Sequence, residues 1–90
     1  MLTFRSPKVI GLTTFLSTDE TGLISLIQVT YKNGDAFLFK SDSEKIRKIM
    51  RKAQKGEKID SFINLMIKIG ELKPCREVRL GVYTVATWKK

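Results

Sequence analysis

The feature that most constrains this chain is residues 41–56, SDSEKIRKIMRKAQKG, whose apolar side chains recur with the period of a helix. Ile46, Ile49, Met50 and Ala53 fall on one side, and the opposite side is almost entirely cationic. A helix that is apolar on one side lies at the surface of a fold and buries that side against another element. The rest of the chain must therefore supply a layer for this helix to cover.

The residues before this helix have the composition of β-strands. Residues 8–17, KVIGLTTFLS, and residues 23–32, LISLIQVTYK, are rich in β-branched and aromatic side chains. Asn33-Gly34 then separates the second strand from a third, and Asn-Gly between two such runs favours a two-residue type I′ hairpin turn.

This turn fixes which side chains of the hairpin share a face. It pairs Tyr31 with Ala36 and places Phe37 and Phe39 together on one face. We expect both rings to pack beneath the helices. The alternative is that the two rings are exposed and stack on the bases of RNA.

Both ends of the cationic helix carry terminal signals. Ser41 and Glu44 have the spacing of a capping box, in which the Ser41 hydroxyl accepts a hydrogen bond from the Glu44 amide. Gly56 is suited to the left-handed position just after the last turn. These signals predict a helix of about 14 residues, or about 21 Å.

Residues 59–69, IDSFINLMIKI, fit two structures. As a helix, their polar side chains gather on one arc; as a strand, one face mixes apolar and polar residues, so the helix is favoured. Gly70 would end this helix, and its broad apolar face is either core or half of a homodimer interface. Residues 77–88, EVRLGVYTVATW, alternate and predict the last strand.

The pattern as a whole predicts an α+β fold: a mostly antiparallel sheet with one or two helices on one face. The expected order is β-β-β-α-α-β, with β-β-β-α-β-β as the alternative if residues 59–69 form a strand. Ninety residues are enough for one domain, in which residues 1–7 form a loose lead-in.

Composition excludes several classes of function. The chain has no histidine and one cysteine, Cys75, so a structural zinc site and a histidine-based catalytic triad are excluded. No spacing suggests paired carboxylates or a phosphate-binding glycine loop, and we expect no enzyme activity, no cofactor and no metal. The chain shows neither the apolar core of a signal peptide nor a run of about 20 apolar residues, so we expect a cytoplasmic or nuclear protein with no membrane role.

The net charge of +8 points to an anionic partner. Like charges four residues apart on the helix, such as Arg47 and Arg51, repel each other by about 0.2–0.5 kcal/mol, and an anion would remove that repulsion. Six cations of this helix are the candidate phosphate contacts: Lys45, Arg47, Lys48, Arg51, Lys52 and Lys55.

A second, weaker candidate surface lies on and before the last strand: Arg76, Arg79 and Tyr83. Cations interleaved with aromatic rings suit single-stranded nucleic acid, whose bases stack on the rings. Alternatively, Tyr83 and Trp88 simply cover the edge of the core. The sequence thus predicts a small non-enzymatic protein that binds DNA or RNA through a basic helix. The alternative is a protein-interaction module, an inhibitor or adaptor whose basic face docks on an acidic protein surface.

Overall fold

The computed structural model describes residues 8–19, 22–75 and 82–90. Its elements, in chain order, are β1 Val9–Asp19, β2 Gly22–Tyr31, β3 Ala36–Ser41, α1 Ser43–Gln54, α2 Asp60–Lys68, β4 Lys73–Pro74 and β5 Tyr83–Lys89. All five strands belong to one antiparallel sheet with the spatial order β4-β3-β2-β1-β5. The predicted α+β class and antiparallel sheet are confirmed, and the predicted order is close, because only the two-residue β4 is added.

The core lies between the helices and one face of the sheet. Register places Leu12 opposite Val29, and Ile27 opposite Phe39, so these four side chains share a face. All four are buried in the same cluster as the apolar side of α1. The residues predicted to face the core from α1 are all buried: Ile46, Ile49, Met50 and Ala53.

The hairpin between β2 and β3 has a different register from the one predicted. The Gly34 amide donates to the Tyr31 carbonyl at 3.0 Å, and the Tyr31 amide donates to the Asp35 carbonyl at 2.8 Å. Gly34 has a φ of 96°, but no described residue other than glycine has a positive φ, so Asn33 cannot occupy a type I′ turn. The loop is instead one residue longer, with Gly34 as the left-handed residue that absorbs the extra position.

This change moves the side chains of β3 to the opposite faces from those predicted. Phe37 lies opposite Val29 rather than Thr30, because one residue of register shift exchanges the two faces of a strand. Phe39 packs in the core, as expected. Phe37 does not: it is 51% exposed and contacts Tyr31 edge-on, with 5.9 Å between ring centroids.

Asp42, not Ser41, caps α1. The Asp42 carboxylate accepts a hydrogen bond from the Lys45 amide at 2.9 Å, and this bond is the main reason that the pKa of Asp42 is lowered. Ser41 ends β3, and its hydroxyl donates to the Glu71 carbonyl at 2.7 Å, so the predicted capping box is wrong. The other end is as predicted: Gly56 has a φ of 79° and follows the last turn.

Within residues 59–69 the structure has the helix α2, Asp60–Lys68, which makes the alternative strand assignment wrong. Ile63 and Met66 of α2 are buried in the core, and the helix is followed by Gly70. Leu65 and Ile69 are exposed instead, so the broad apolar face predicted here is divided between core and surface. In the part of the chain that the structure describes, neither helix has the length and apolarity to cross a bilayer.

Candidate nucleic-acid interface

The six cations predicted as phosphate contacts all lie on α1 or at its C-terminal cap, but they have unequal surroundings. Arg47, Lys48, Arg51 and Lys55 are exposed, whereas Lys45 and Lys52 are half-buried. Lys48 and Lys52 lie toward α2, whereas Arg47 and Arg51 lie toward β5.

Lys45 is committed to the fold. Its ammonium forms an ion pair with Glu71 in the loop after α2, and lies 3.4 Å from Asp42 at the start of α1. The three groups connect the first turn of α1 to the end of α2. A cation already paired with two carboxylates offers little to a phosphate, so we remove Lys45 from the candidate interface.

Lys52 and Lys48 face α2. The Lys52 ammonium lies 3.7 Å from a carboxylate oxygen of Glu57 and 5.1 Å from the centroid of the Phe62 ring. The Lys48 ammonium lies 6.0 Å from the same ring and has no ion pair among the described residues. Both lysine stems thus help to cover an aromatic ring, and Lys48 keeps its charge available to solvent.

Arg47 and Arg51 lie on the other side, toward β5, and Lys55 at the C-terminal cap follows them. They are spaced at four-residue intervals along about 12 Å of helix. None of the three has an ion pair with any described residue. Together with Lys48 they are four cations without an ion pair to any described residue, and we call these four the α1 cation row.

A groove runs beside this row, between α1 and the β1–β5 edge of the sheet. It has a volume of about 440 Å³, and Arg47 and Arg51 line it from the helix side. Its other lining is mainly apolar: Phe15, Leu16, Ile46, Met50, Val85 and Ala86. None of the described residues that line it is acidic. Positive charge here borders an apolar surface.

The second predicted surface is described only in part. Arg76 and Arg79 lie outside the described residues. Tyr83 begins β5 and is 70% exposed, so its ring is available for contact. Trp88 is half-buried and packs against the core, which agrees with the alternative prediction that this ring covers the edge of the core.

Sequence reasoning missed the groove and the part of β5 that borders it. Val85 lines the groove and is 60% exposed. The only signal in the sequence is that residues 83–88, YTVATW, contain no charge, which is unusual for an exposed strand. That β5 pairs with β1 at the edge of the sheet is a long-range fact that this local pattern does not contain.

The described residues contain no group of three or more cysteine, aspartate and glutamate side chains placed to hold a metal ion. The site is therefore a surface of cations and apolar side chains. No protein-family model matches this chain, and neither a curated protein nor a solved structure shows significant similarity to it, so function has to be argued from this geometry.

Proposed function

We propose that this protein is a small non-enzymatic nucleic-acid-binding protein that contacts phosphates through the α1 cation row. The observation that supports this most strongly is the set of four exposed cations, Arg47, Lys48, Arg51 and Lys55, with no acidic partner among the described residues. Phosphates would neutralise these charges and release condensed counterions, which gives affinity without reading sequence. Lys45 and Lys52 act in the fold rather than in binding.

The test is a fluorescence-anisotropy titration of labelled single-stranded DNA, duplex DNA and RNA at about 50 and 200 mM salt. The key variant is Lys48→Gln/Arg51→Gln/Lys55→Gln. The matched control is Lys32→Gln/Lys68→Gln/Lys73→Gln, which removes three exposed cations elsewhere on the surface. The control and the α1 variant therefore have the same net charge.

We expect the α1 variant to lower affinity and to reduce the slope of log affinity against log salt by about 2 to 3, since each duplex phosphate contact contributes about 0.9. The control should bind almost as the parent does. Equal losses in the two variants would mean that total charge, and not the α1 cation row, governs binding. An unchanged affinity in the α1 variant would remove the helix from the proposal.

An acidic protein partner is the second candidate. The observation that favours it is the apolar lining of the groove beneath Arg47 and Arg51, because phosphates alone would leave such a surface uncovered. This candidate predicts saturable, stoichiometric binding to one protein and only weak, salt-sensitive binding to polyanions.

A further inference from the structure

We propose that β5 and the adjoining groove bind an extended acidic segment of a partner protein, which adds as a sixth strand to the sheet. Apolar side chains of that segment enter the groove, and its carboxylates pair with Arg47 and Arg51. This inference specifies the second candidate function and does not depend on nucleic-acid binding.

The two edges of the sheet differ in how well they are protected. One edge is β4, which has two residues, Lys73 and Pro74, so it is short and contains a cation and a proline. The other is β5, which has seven residues and no charge before Lys89. Natural sheets normally protect a long edge with charges, prolines or a covering element. Within the described residues, only β1 pairs with β5.

The pairing of β5 with β1 shows which backbone groups of β5 point away from β1. The Lys90 amide donates to the Ile10 carbonyl at 2.9 Å, and Trp88 lies opposite Leu12. Because inward and outward amides alternate along an antiparallel strand, the Thr87 amide points away from β1. No strand within residues 8–19, 22–75 and 82–90 lies on that side of β5, so this amide can pair with an added strand.

The groove gives such a strand its specificity. The register between β1 and β5 shifts between Thr14 and Phe15, and Val85 is the unpaired residue at this bulge. Val85 and Ala86 line the groove from the sheet side together with residues of β1 and β2, and α1 lines the opposite side. An edge strand beside a helix is a known peptide-binding arrangement, in which backbone bonds give affinity and the pockets for alternate side chains give specificity. The volume of about 440 Å³ is in the range of ligand sites.

Charge complementarity favours an acidic segment over a second copy of this chain. Antiparallel pairing of β5 with its own copy has its two-fold axis perpendicular to the sheet, so both helices would lie on the same face. Arg47 and Arg51 of the two copies would then approach each other, while the described groove lining has no acidic side chain to compensate. An acidic strand pairs with these arginines instead.

The experiment is a selection from a library of random short peptides displayed on phage, with the full chain and its Thr87→Pro variant immobilised in parallel. Proline at this position removes an outward amide and leaves the bonds to β1 intact. Circular dichroism and thermal unfolding check that the variant folds. We expect peptides enriched only on the parent chain, with acidic and apolar residues both at every second position, because the groove and the two arginines lie on the same side of the added strand.

A selected peptide, labelled and titrated, tests each part of the proposal. We expect about tenfold weaker binding to Thr87→Pro and to Arg47→Gln/Arg51→Gln, and parent-like binding to the charge control Lys32→Gln/Lys68→Gln. If Thr87→Pro does not fold, methylating alternate backbone amides of the peptide tests strand addition without changing the protein. Methylation of the peptide amides that face β5 should abolish binding, and methylation of the amides between them should be tolerated.

The proposal would be overturned if no peptide were enriched on the parent over Thr87→Pro, if the enriched peptides lacked acidic residues, or if both sets of alternate amides tolerated methylation equally. A parent chain that sediments as a dimer and becomes monomeric in Thr87→Pro would show that a second copy occupies the edge. Lys48→Gln/Lys55→Gln should weaken DNA binding alone, and Thr87→Pro should weaken peptide binding alone. The two proposals can therefore fail separately.

Discussion

At the scale of single residues, the cations of α1 differ according to whether a carboxylate lies within reach. Lys45 lies against Glu71 and Asp42, and Lys52 lies near Glu57, whereas Arg47 and Arg51 have no carboxylate partner among the described residues. The same residue type at neighbouring positions of one helix thus stabilises the fold in one case and remains available to a ligand in the other. Substitutions should separate these two roles.

Lys45→Gln should reduce stability and leave nucleic-acid affinity almost unchanged. The ion pair with Glu71 has both side chains about 40% exposed, so solvent screens it, and we expect a coupling of about 0.5 kcal/mol in a double-mutant cycle with Glu71→Gln. Urea unfolding measures the coupling, and anisotropy measures the affinity. Arg51→Gln is the opposite control, with affinity lost and stability kept. A Lys45→Gln variant that loses as much affinity as Arg51→Gln would return Lys45 to the interface.

Asp42→Ala should lower the thermal midpoint at neutral pH, because the Lys45 amide loses its acceptor at the start of α1. The pKa of Asp42 is lowered by that hydrogen bond and by the Lys45 ammonium. Its contribution is therefore present above the ordinary carboxyl pKa of about 4 and is lost as pH falls through the lower folded value. The midpoints of parent and variant should converge in acid. Glu44→Ala is the control, and an equal loss there would favour the capping box predicted from sequence.

The parent protein should lose stability at high pH as Tyr31 ionises, and Tyr31→Phe should remove this loss. Burial, and secondarily the Asp60 carboxylate, raises the pKa of Tyr31. Because the pKa is higher in the folded state, the contribution of Tyr31 to the free energy of unfolding is complete below the ordinary tyrosine pKa of about 10. It is lost as pH rises beyond that value. Denaturant unfolding across this range should show a smaller loss in the variant. In a Tyr83→Phe background, ultraviolet absorbance follows Tyr31 alone, and ionisation at the ordinary pKa would contradict the burial argument.

At the scale of elements, the β2–β3 hairpin shows how one backbone angle sets the faces of two strands. Asn33 holds the loop through its side chain, which accepts from the Asp35 amide at 3.0 Å and donates to the Asp35 carboxylate at 2.9 Å. Gly34 alone in this loop has a positive φ. The position of that glycine places Phe39 in the core.

Gly34→Ala should destabilise the protein by about 1 kcal/mol, because alanine is strained at a φ of 96° although there is space for its methyl group. Gly11→Ala is the matched control within β1. Its added methyl group would lie at an ordinary 3.5 Å from Thr30, and its φ is not positive, so we expect a smaller effect. Chemical denaturation measures both. If Gly11→Ala costs more than Gly34→Ala, the turn assignment is wrong.

Local patterns predicted the elements better than their pairing. The period of α1 fixed which of its side chains are buried, and Gly56 marked its end, because both depend on neighbours a few residues away. The turn was predicted one residue too short, since Asn-Gly fits both a two-residue loop and the longer one observed. The groove could not be predicted at all, because it depends on β5 crossing to the far edge of the sheet beside β1.

At the scale of the whole molecule, the described acids largely serve the fold, and this leaves the positive charge unbalanced. Asp42 caps α1, Asp60 accepts the Val9 amide, and Glu57 and Glu71 pair with lysines. The net charge of +8 then repels itself in the compact state. Salt and polyanions should both relieve this repulsion, but by different mechanisms.

Without ligand, the thermal midpoint of the parent should rise with salt, because screening weakens repulsion between exposed cations. With excess single-stranded DNA, the midpoint should rise further at low salt, since a ligand at about 100 times its Kd adds about 2.7 kcal/mol to the folded state. That added stabilisation should shrink as salt rises, because counterion release drives binding. The two salt responses thus have opposite signs.

Differential scanning fluorimetry across salt concentrations measures both responses. Lys48→Gln/Arg51→Gln/Lys55→Gln should retain a weaker rise with salt and lose most of the DNA-induced shift. Lys32→Gln/Lys68→Gln/Lys73→Gln has the same net charge and should keep that shift. If DNA raises the thermal midpoints of the two variants equally, DNA contacts cations over the whole protein surface. The arrangement of charge on α1 would then have no special role in binding.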